Sequence, residues 1–166
     1  MFVITGGVSI LLYILMRFLP KIDPKKTAKY SAPVFNKIAI GVVLLLCGIN
    51  FIVLIAAQNS SFNIGNTLTV IAGVFFAFMG NIMHSIKPNY FAGIRTPWTL
   101  ENKETWRKTH QLGGKLWFAG GIIIAACGLI FPANVASIIL ITGILIMSII
   151  PIVYSYIHFK SIQNIV

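Results

Sequence analysis

The side chains that could bind a metal ion or transfer a proton are few: three histidines and three acids among 166 residues. No two histidines stand four residues apart on one helix, which is the spacing of a zincin metal pair. Glu101 and Glu104 lie among lysines, whereas acid–base catalysis needs a carboxyl group in a low-dielectric pocket. No serine stands in a nucleophile elbow. The sequence therefore predicts neither an enzyme nor a protein with a metal or another cofactor.

A second group of candidate residues lies in one long polar segment, residues 87–113, which mixes aromatic, basic and turn-forming residues. Thr96 and Pro97 are helix-start signals in this segment. The glycine pair 113–114 is a helix-stop signal. We therefore expect a short helix over residues 100–112.

The aromatic side chains of this segment allow two interpretations. Trp106 and His110 are four residues apart and would share one face of the short helix. A helix with tryptophan and basic flanks is typical of the membrane interface, where Trp98 and Trp106 would anchor the protein. Alternatively, the segment is a binding surface, with Arg95 and Trp98 as its main contacts because Arg and Trp concentrate binding energy.

Asn81 and His84 are polar residues at the end of an apolar stretch, residues 67–86. They stand near the small residues Gly73 and Gly80, and this pattern also has two interpretations. Small residues and an asparagine form helix–helix contacts in membranes. Alternatively, the polar pair lines a pocket or the path of a small transporter or channel.

The elements that position these residues are strongly apolar. The chain is 57% hydrophobic and only 10% charged, which excludes a soluble enzyme or a disordered chain. Five apolar stretches are each long enough to cross a bilayer as a helix. We therefore predict an all-α, polytopic membrane protein, a bundle of five transmembrane helices in a single domain, with the short helix at the interface. The predicted transmembrane helices cover residues 1–19, 38–57, 67–86, 114–131 and 135–159.

The charged residues predict the orientation of this bundle. Thirteen Lys and Arg residues against three acids give a net charge of +10, and all but Lys160 lie in residues 17–37 and 87–115. Basic residues favour the cytoplasmic side of a membrane. We therefore expect loops 20–37 and 87–113 in the cytoplasm, the N-terminus outside and the C-terminus in the cytoplasm. The positive charge then reflects the lipid bilayer as a partner and no direct binding of nucleic acid.

Residues 80–115, GNIMHSIKPNYFAGIRTPWTLENKETWRKTHQLGGK, closely resemble the signature region of the SdpI family of bacterial membrane immunity proteins. Residues 17–38 resemble the first cytoplasmic loop of the same family, and the resemblance extends from Leu12 to the C-terminus. Fuller members of the family have another membrane helix before the helix with which this sequence begins.

The resemblance implies a protein of the bacterial cell membrane that protects a producing cell against a secreted, membrane-active antimicrobial peptide. The implied partners are that peptide toxin and, as in the best-studied type, a cytoplasmic repressor protein held at the membrane. A small membrane transporter or channel is the alternative function. The residues that we expect to take part in binding are Asn81, His84, Asn89, Arg95, Pro97, Trp98, Glu104, Trp106 and His110.

Overall fold

The computed structural model describes residues 2–22, 32–59 and 61–163, and these residues form helices and no strand. The predicted all-α fold is therefore confirmed. Half of the predicted first basic loop, residues 23–31 of 20–37, lies outside the described residues, and the other half belongs to helices. The helices are α1 (Phe2–Ile22), α2 (Ala32–Gln58), α3 (Ile64–Met83), α4 (Pro97–Glu101), α5 (Lys103–Ile130) and α6 (Ala133–Gln163).

Four of these helices, α2, α3, α5 and α6, are long and apolar enough to cross a membrane. The described apolar part of α1, Gly7–Phe18, is shorter than these four. The fifth membrane crossing therefore remains a prediction. A helix satisfies its own backbone polar groups, which is what hydrocarbon requires of any segment that crosses it.

The central contact of the bundle joins α3 and α5 through glycines. A Cβ atom added to Gly73 would lie 2.7 Å from the carbonyl oxygen of Gly121, and one added to Gly80 would lie 2.7 Å from that of Gly114. Because no real side chain fits at these distances, the two backbones meet directly. The structure supports the helix-contact interpretation of Gly73 and Gly80.

α5 continues through Gly113 and Gly114, so the predicted helix end at this pair is wrong. A Cβ atom on Gly113 would lie 2.7 Å from the Ile94 side chain, and one on Gly114 would lie 2.9 Å from the carbonyl oxygen of Gly80. These glycines allow close packing and do not form a turn. Residues 103–112 of the predicted short helix and residues 114–130 of the predicted span after it are therefore parts of one 28-residue helix.

The predicted helix start at Thr96 and Pro97 is confirmed, but it belongs to the five-residue helix α4. The Thr99 hydroxyl accepts the Thr96 backbone N–H at 2.9 Å, and the Thr96 hydroxyl accepts the Thr99 N–H at 3.3 Å. This reciprocal pair is a capping box. Asn102 then separates α4 from α5 and accepts two backbone N–H groups of the first turn of α5.

α2 and α3 both begin several residues earlier than predicted, at Ala32 and Ile64. Pro33 lies in the first turn of α2, where the N–H that proline lacks has no partner inside the helix. The Asn63 side chain caps α3 by accepting the backbone N–H of Asn66 at 3.2 Å. Proline and asparagine thus start these helices.

A proline interrupts the hydrogen bonding of α6. Pro151 has no N–H to donate to the carbonyl of Met147, four residues earlier. The indole Nε1–H of Trp117 on α5 donates to this Met147 carbonyl at 3.0 Å. Because a carbonyl without a partner is costly in hydrocarbon, this bond both satisfies α6 and attaches it to α5.

One end of the bundle gathers the start of α2, the end of α3, the start of α5 and the end of α6. Its buried apolar cluster consists of Ile38, Ile82, Met83, Ile86 and Trp106. The hydroxyl of Thr105 on α5 lies 3.4 Å from Nδ1 of His158 on α6. We call this end the basic end, because the basic residues of segment 87–115 lie there.

Candidate functional site

Residues 84–102 fold over the basic end, and we call this segment the cap. Buried polar side chains concentrate in it and on the helix surfaces beneath it, whereas an apolar bundle needs few of them. The buried polar residues of this region are Asn89, Thr96, Thr99, Thr105, Thr109, His110 and Ser155.

Asn89 holds the first turn of the cap. Its Nδ2 donates to the carbonyls of Lys87 and Ala92 at 2.8 and 3.1 Å, and its Oδ1 accepts the N–H groups of Phe91 and Ala92 at 2.7 and 2.8 Å. An asparagine side chain has two donor hydrogens and two acceptor lone pairs. All of its hydrogen-bonding capacity is therefore used inside the cap.

His110 joins the cap to α5 and is only 1% exposed. Its Nε2 accepts the backbone N–H of Ile94 at 3.0 Å, so this nitrogen carries no proton. Its Nδ1 lies 2.8 Å from the carbonyl oxygen of Trp106, to which it donates. Both bonds require a neutral imidazole with its proton on Nδ1.

Gly93 and Trp106 complete the surroundings of this imidazole. The φ angle of Gly93 is +109°, and a Cβ atom there would overlap Nε2 of His110. The Trp106 ring stacks on the imidazole with centroids 4.1 Å apart, and its Nε1 donates to the carbonyl of Ile86 at 2.8 Å. Glycine is therefore the residue that lets the cap backbone reach His110.

Trp98 joins the cap to α6. Its Nε1 donates to the hydroxyl of Ser155, and the hydroxyl of Thr96 lies 3.2 Å from the same oxygen. The Trp98 ring is half-buried against Tyr156, with ring centroids 5.1 Å apart. Ser155 was not among the predicted residues, because a serine inside an apolar stretch carries no signal of such a contact.

The structure divides the nine predicted site residues by exposure. Asn89, Trp106 and His110 are buried, and Trp98 is half-buried. The exposed ones are Asn81, His84, Arg95, Pro97 and Glu104. Of these, Arg95 donates from Nη1 to the carbonyl of Tyr90. Glu104 lies 3.7 Å from Arg107 in a surface ion pair, which contributes little to stability.

Two open grooves lie at the basic end. The cap groove, about 260 Å³, lies between the cap, α5 and α6, and is lined by Ile94, Arg95, Trp117, Met147, Ser148 and Ile152, among others. The α3–α5 groove, about 480 Å³, is lined by Gly80, Asn81, His84, Gln111, Gly114, Lys115 and Phe118. The structure thus brings the predicted pair Asn81 and His84 together with Gln111 and Lys115, which were not predicted.

The transport interpretation of Asn81 and His84 is not favoured by this geometry. The backbones of α3 and α5 touch at Gly80 and Gly114, so no path runs between the two helices there, and the polar pair lies on their outer edge. Among the described residues, no three His, Cys, Asp or Glu side chains are grouped closely enough to hold a metal ion.

The four long apolar helices and the polar cap at one end define a multi-pass membrane protein. Residues 85–155 match the model of the SdpI/YfhL protein family. The immunity protein SdpI of Bacillus subtilis (strain 168) is 27% identical over 157 residues, which cover 95% of this chain and 74% of that protein. No solved structure matches the chain. The predicted resemblance to the SdpI family is therefore confirmed.

Proposed function

We propose that this protein is an immunity protein that makes its cell resistant to a secreted, membrane-active antimicrobial peptide by binding and neutralising the peptide. The supporting observation is where the family match falls. It begins at Ser85, at the start of the cap, and ends at Ser155, the α6 residue that receives the Trp98 hydrogen bond. The family region is thus the cap with its two supporting helices.

In this proposal the cap groove contacts the peptide. Ile94 and Ile152 offer an apolar surface, and the exposed Arg95 offers hydrogen-bond donors beside it. Arg and Trp side chains concentrate binding energy at interfaces, and Trp98 holds the adjoining part of the cap. Because α5 and α6 form two walls of the groove, we propose that a peptide dissolved in the bilayer enters it from the membrane side of these helices.

The exposed outer surface of the cap is the place we propose for a cytoplasmic repressor protein, in the orientation that the basic residues predict. Lys87, Pro97 and Glu101 are exposed there. Such a partner would bind the cap from the aqueous side. Because the peptide and the repressor would share the cap, peptide binding in the groove below would change the affinity of the cap for the repressor.

The test compares strains for growth in conditioned medium from the parent strain that encodes this protein. A deletion strain should be inhibited, and the wild-type gene should restore growth. At matched expression, Arg95→Ala and Trp98→Ala should each lower the highest concentration of conditioned medium that permits growth by about tenfold. This is the effect expected for a residue that contributes roughly 1.4 kcal/mol to binding. Arg107→Ala removes another exposed arginine, one outside the groove, and should protect like the wild type.

Two outcomes would contradict the proposal at different levels. A deletion strain that grows as well as its parent would contradict the immunity function. Equal protection by the wild type and by both the Arg95 and Trp98 variants would leave immunity standing but exclude the cap groove as the contact. A purified protein that moves solutes in proteoliposomes would favour a transporter, because a binding protein moves nothing.

A further inference from the structure

We infer that the α3–α5 groove binds the phosphate of an anionic lipid headgroup. The first reason is its chemistry. Asn81 and Gln111 provide amide donors, His84 provides an imidazole, and Lys115 provides an ammonium group. None of the lining residues, all of them described by the structure, is acidic. A donor-rich groove with one fixed positive charge favours a phosphate over a cation.

The second reason is the shape of the groove. Gly80 and Gly114 form its floor, and they bring the two helix backbones into direct contact. The side chains on either side therefore stand around a shallow depression instead of filling it. A headgroup phosphate can lie against the glycines, within reach of donors from both helices.

The third reason is the depth of the groove in the bilayer. α3 has 20 residues and is about 30 Å long, which equals the thickness of the hydrocarbon core. His84 follows its last residue, and a Cβ atom on Gly114 would lie 3.8 Å from the His84 backbone nitrogen. Lys115, the next residue, is thus level with the end of α3, where lipid phosphates lie.

The deeper end of the groove indicates that the bound phosphate belongs to a lipid and is not free phosphate. Phe118 lies one helical turn below Lys115 toward the middle of the bilayer, and it is 46% exposed. A lipid would place its phosphate among the four polar side chains and its acyl chain along Phe118. Free phosphate has no group to contact this apolar end. The groove would bind lipid whether or not the protein confers immunity.

The experiment measures lipid retention by the purified full-length protein in detergent, using native mass spectrometry. Phosphatidylglycerol and phosphatidylcholine with identical acyl chains are compared. Phosphatidylglycerol should bind at least about tenfold more tightly, because the ammonium group of phosphatidylcholine offsets the charge of its phosphate and repels the Lys115 ammonium. Lys115→Gln should therefore remove most of that preference. Lys103→Gln removes an exposed charge at the start of α5, outside the groove, and should retain the preference.

A second variant separates the groove from general surface charge. Asn81→Ala changes no charge and should weaken phosphatidylglycerol binding about tenfold, as expected for the loss of a hydrogen bond to the charged phosphate. Equal binding of the two lipids, an equal loss in Lys103→Gln and Lys115→Gln, or an unchanged Asn81→Ala would each overturn the inference. Displacement of bound phosphatidylglycerol by millimolar inorganic phosphate would assign the groove to a soluble anion and would also overturn it.

Discussion

The substitution Gly93→Ala is predicted to open the cap. Gly93 has φ +109°, and an alanine held in such a conformation costs about 1–3 kcal/mol. Its Cβ would also overlap Nε2 of His110 and displace it from the backbone N–H of Ile94. A buried N–H left without a partner costs a further 1–3 kcal/mol, roughly. The combined cost is at least about 2 kcal/mol.

Trypsin cleavage after Arg95 measures this opening in the purified protein. When opening and closing are fast relative to cleavage, the cleavage rate follows the open population. A cost of about 2 kcal/mol then accelerates cleavage about 30-fold. Gly7→Ala is the control, because a Cβ atom there meets nothing within 4 Å. It should leave the cleavage rate of the cap unchanged.

A double-mutant cycle tests whether the overlap with His110 causes the cap to open. In a His110→Ala background, Gly93→Ala no longer meets the imidazole, so only the backbone strain of about 1–3 kcal/mol remains. The two substitutions together should therefore cost less than the sum of their separate effects. Strictly additive effects would refute the contact between Gly93 and His110, and a Gly93→Ala rate equal to that of Gly7→Ala would refute the whole account.

Two further predictions concern tryptophan hydrogen bonds. Trp106→Phe leaves the buried Ile86 carbonyl without its indole donor and should lower the free energy of unfolding by about 1–3 kcal/mol, measured by thermal denaturation in detergent; an unchanged midpoint would contradict this. Trp117→Phe should have a similar cost, because the Met147 carbonyl loses its donor, and Pro151→Ala should reduce that cost by restoring an N–H to α6. If Trp117→Phe is equally costly with and without Pro151→Ala, the indole has another role.

The helical fold and the cap segment could be predicted from the sequence, because both depend on local signals. Long apolar stretches give helices in hydrocarbon whatever their neighbours are, and the capping residues Thr96 and Pro97 act within their own turn. The glycine pair 113–114 does not end the helix as predicted, because its role depends on residues far away in the sequence. Whether a glycine ends a helix or lets another element come close depends on what packs against it, which here is Gly80 and the Ile94 side chain.

The division of the nine predicted site residues into buried and exposed ones could not be predicted either. Trp106 and His110 are four residues apart and share a helix face, which indicates that they act together but not whether that face meets ligand or protein. Their partners, Ile86 and Ile94, offer a backbone carbonyl and a backbone N–H, which every residue type except proline has. Ser155 is likewise identified only by the fold, which brings α6 beside the cap.

This division determines how a loss of immunity in any variant must be interpreted. Asn89 and His110 use their hydrogen-bonding groups inside the protein, so replacing either would abolish protection by opening the cap even if neither touches a peptide. Arg95 is exposed but also donates to the Tyr90 carbonyl inside the cap, so its variant needs the same check for an open cap. Protection and cap cleavage therefore have to be measured on the same variants. Arg95→Ala removes the trypsin site, so its cap is tested by chymotrypsin cleavage after the exposed Tyr90. A variant that loses protection while its cap stays closed identifies a contact residue, and one that loses protection with a fast-cleaved cap identifies a supporting residue.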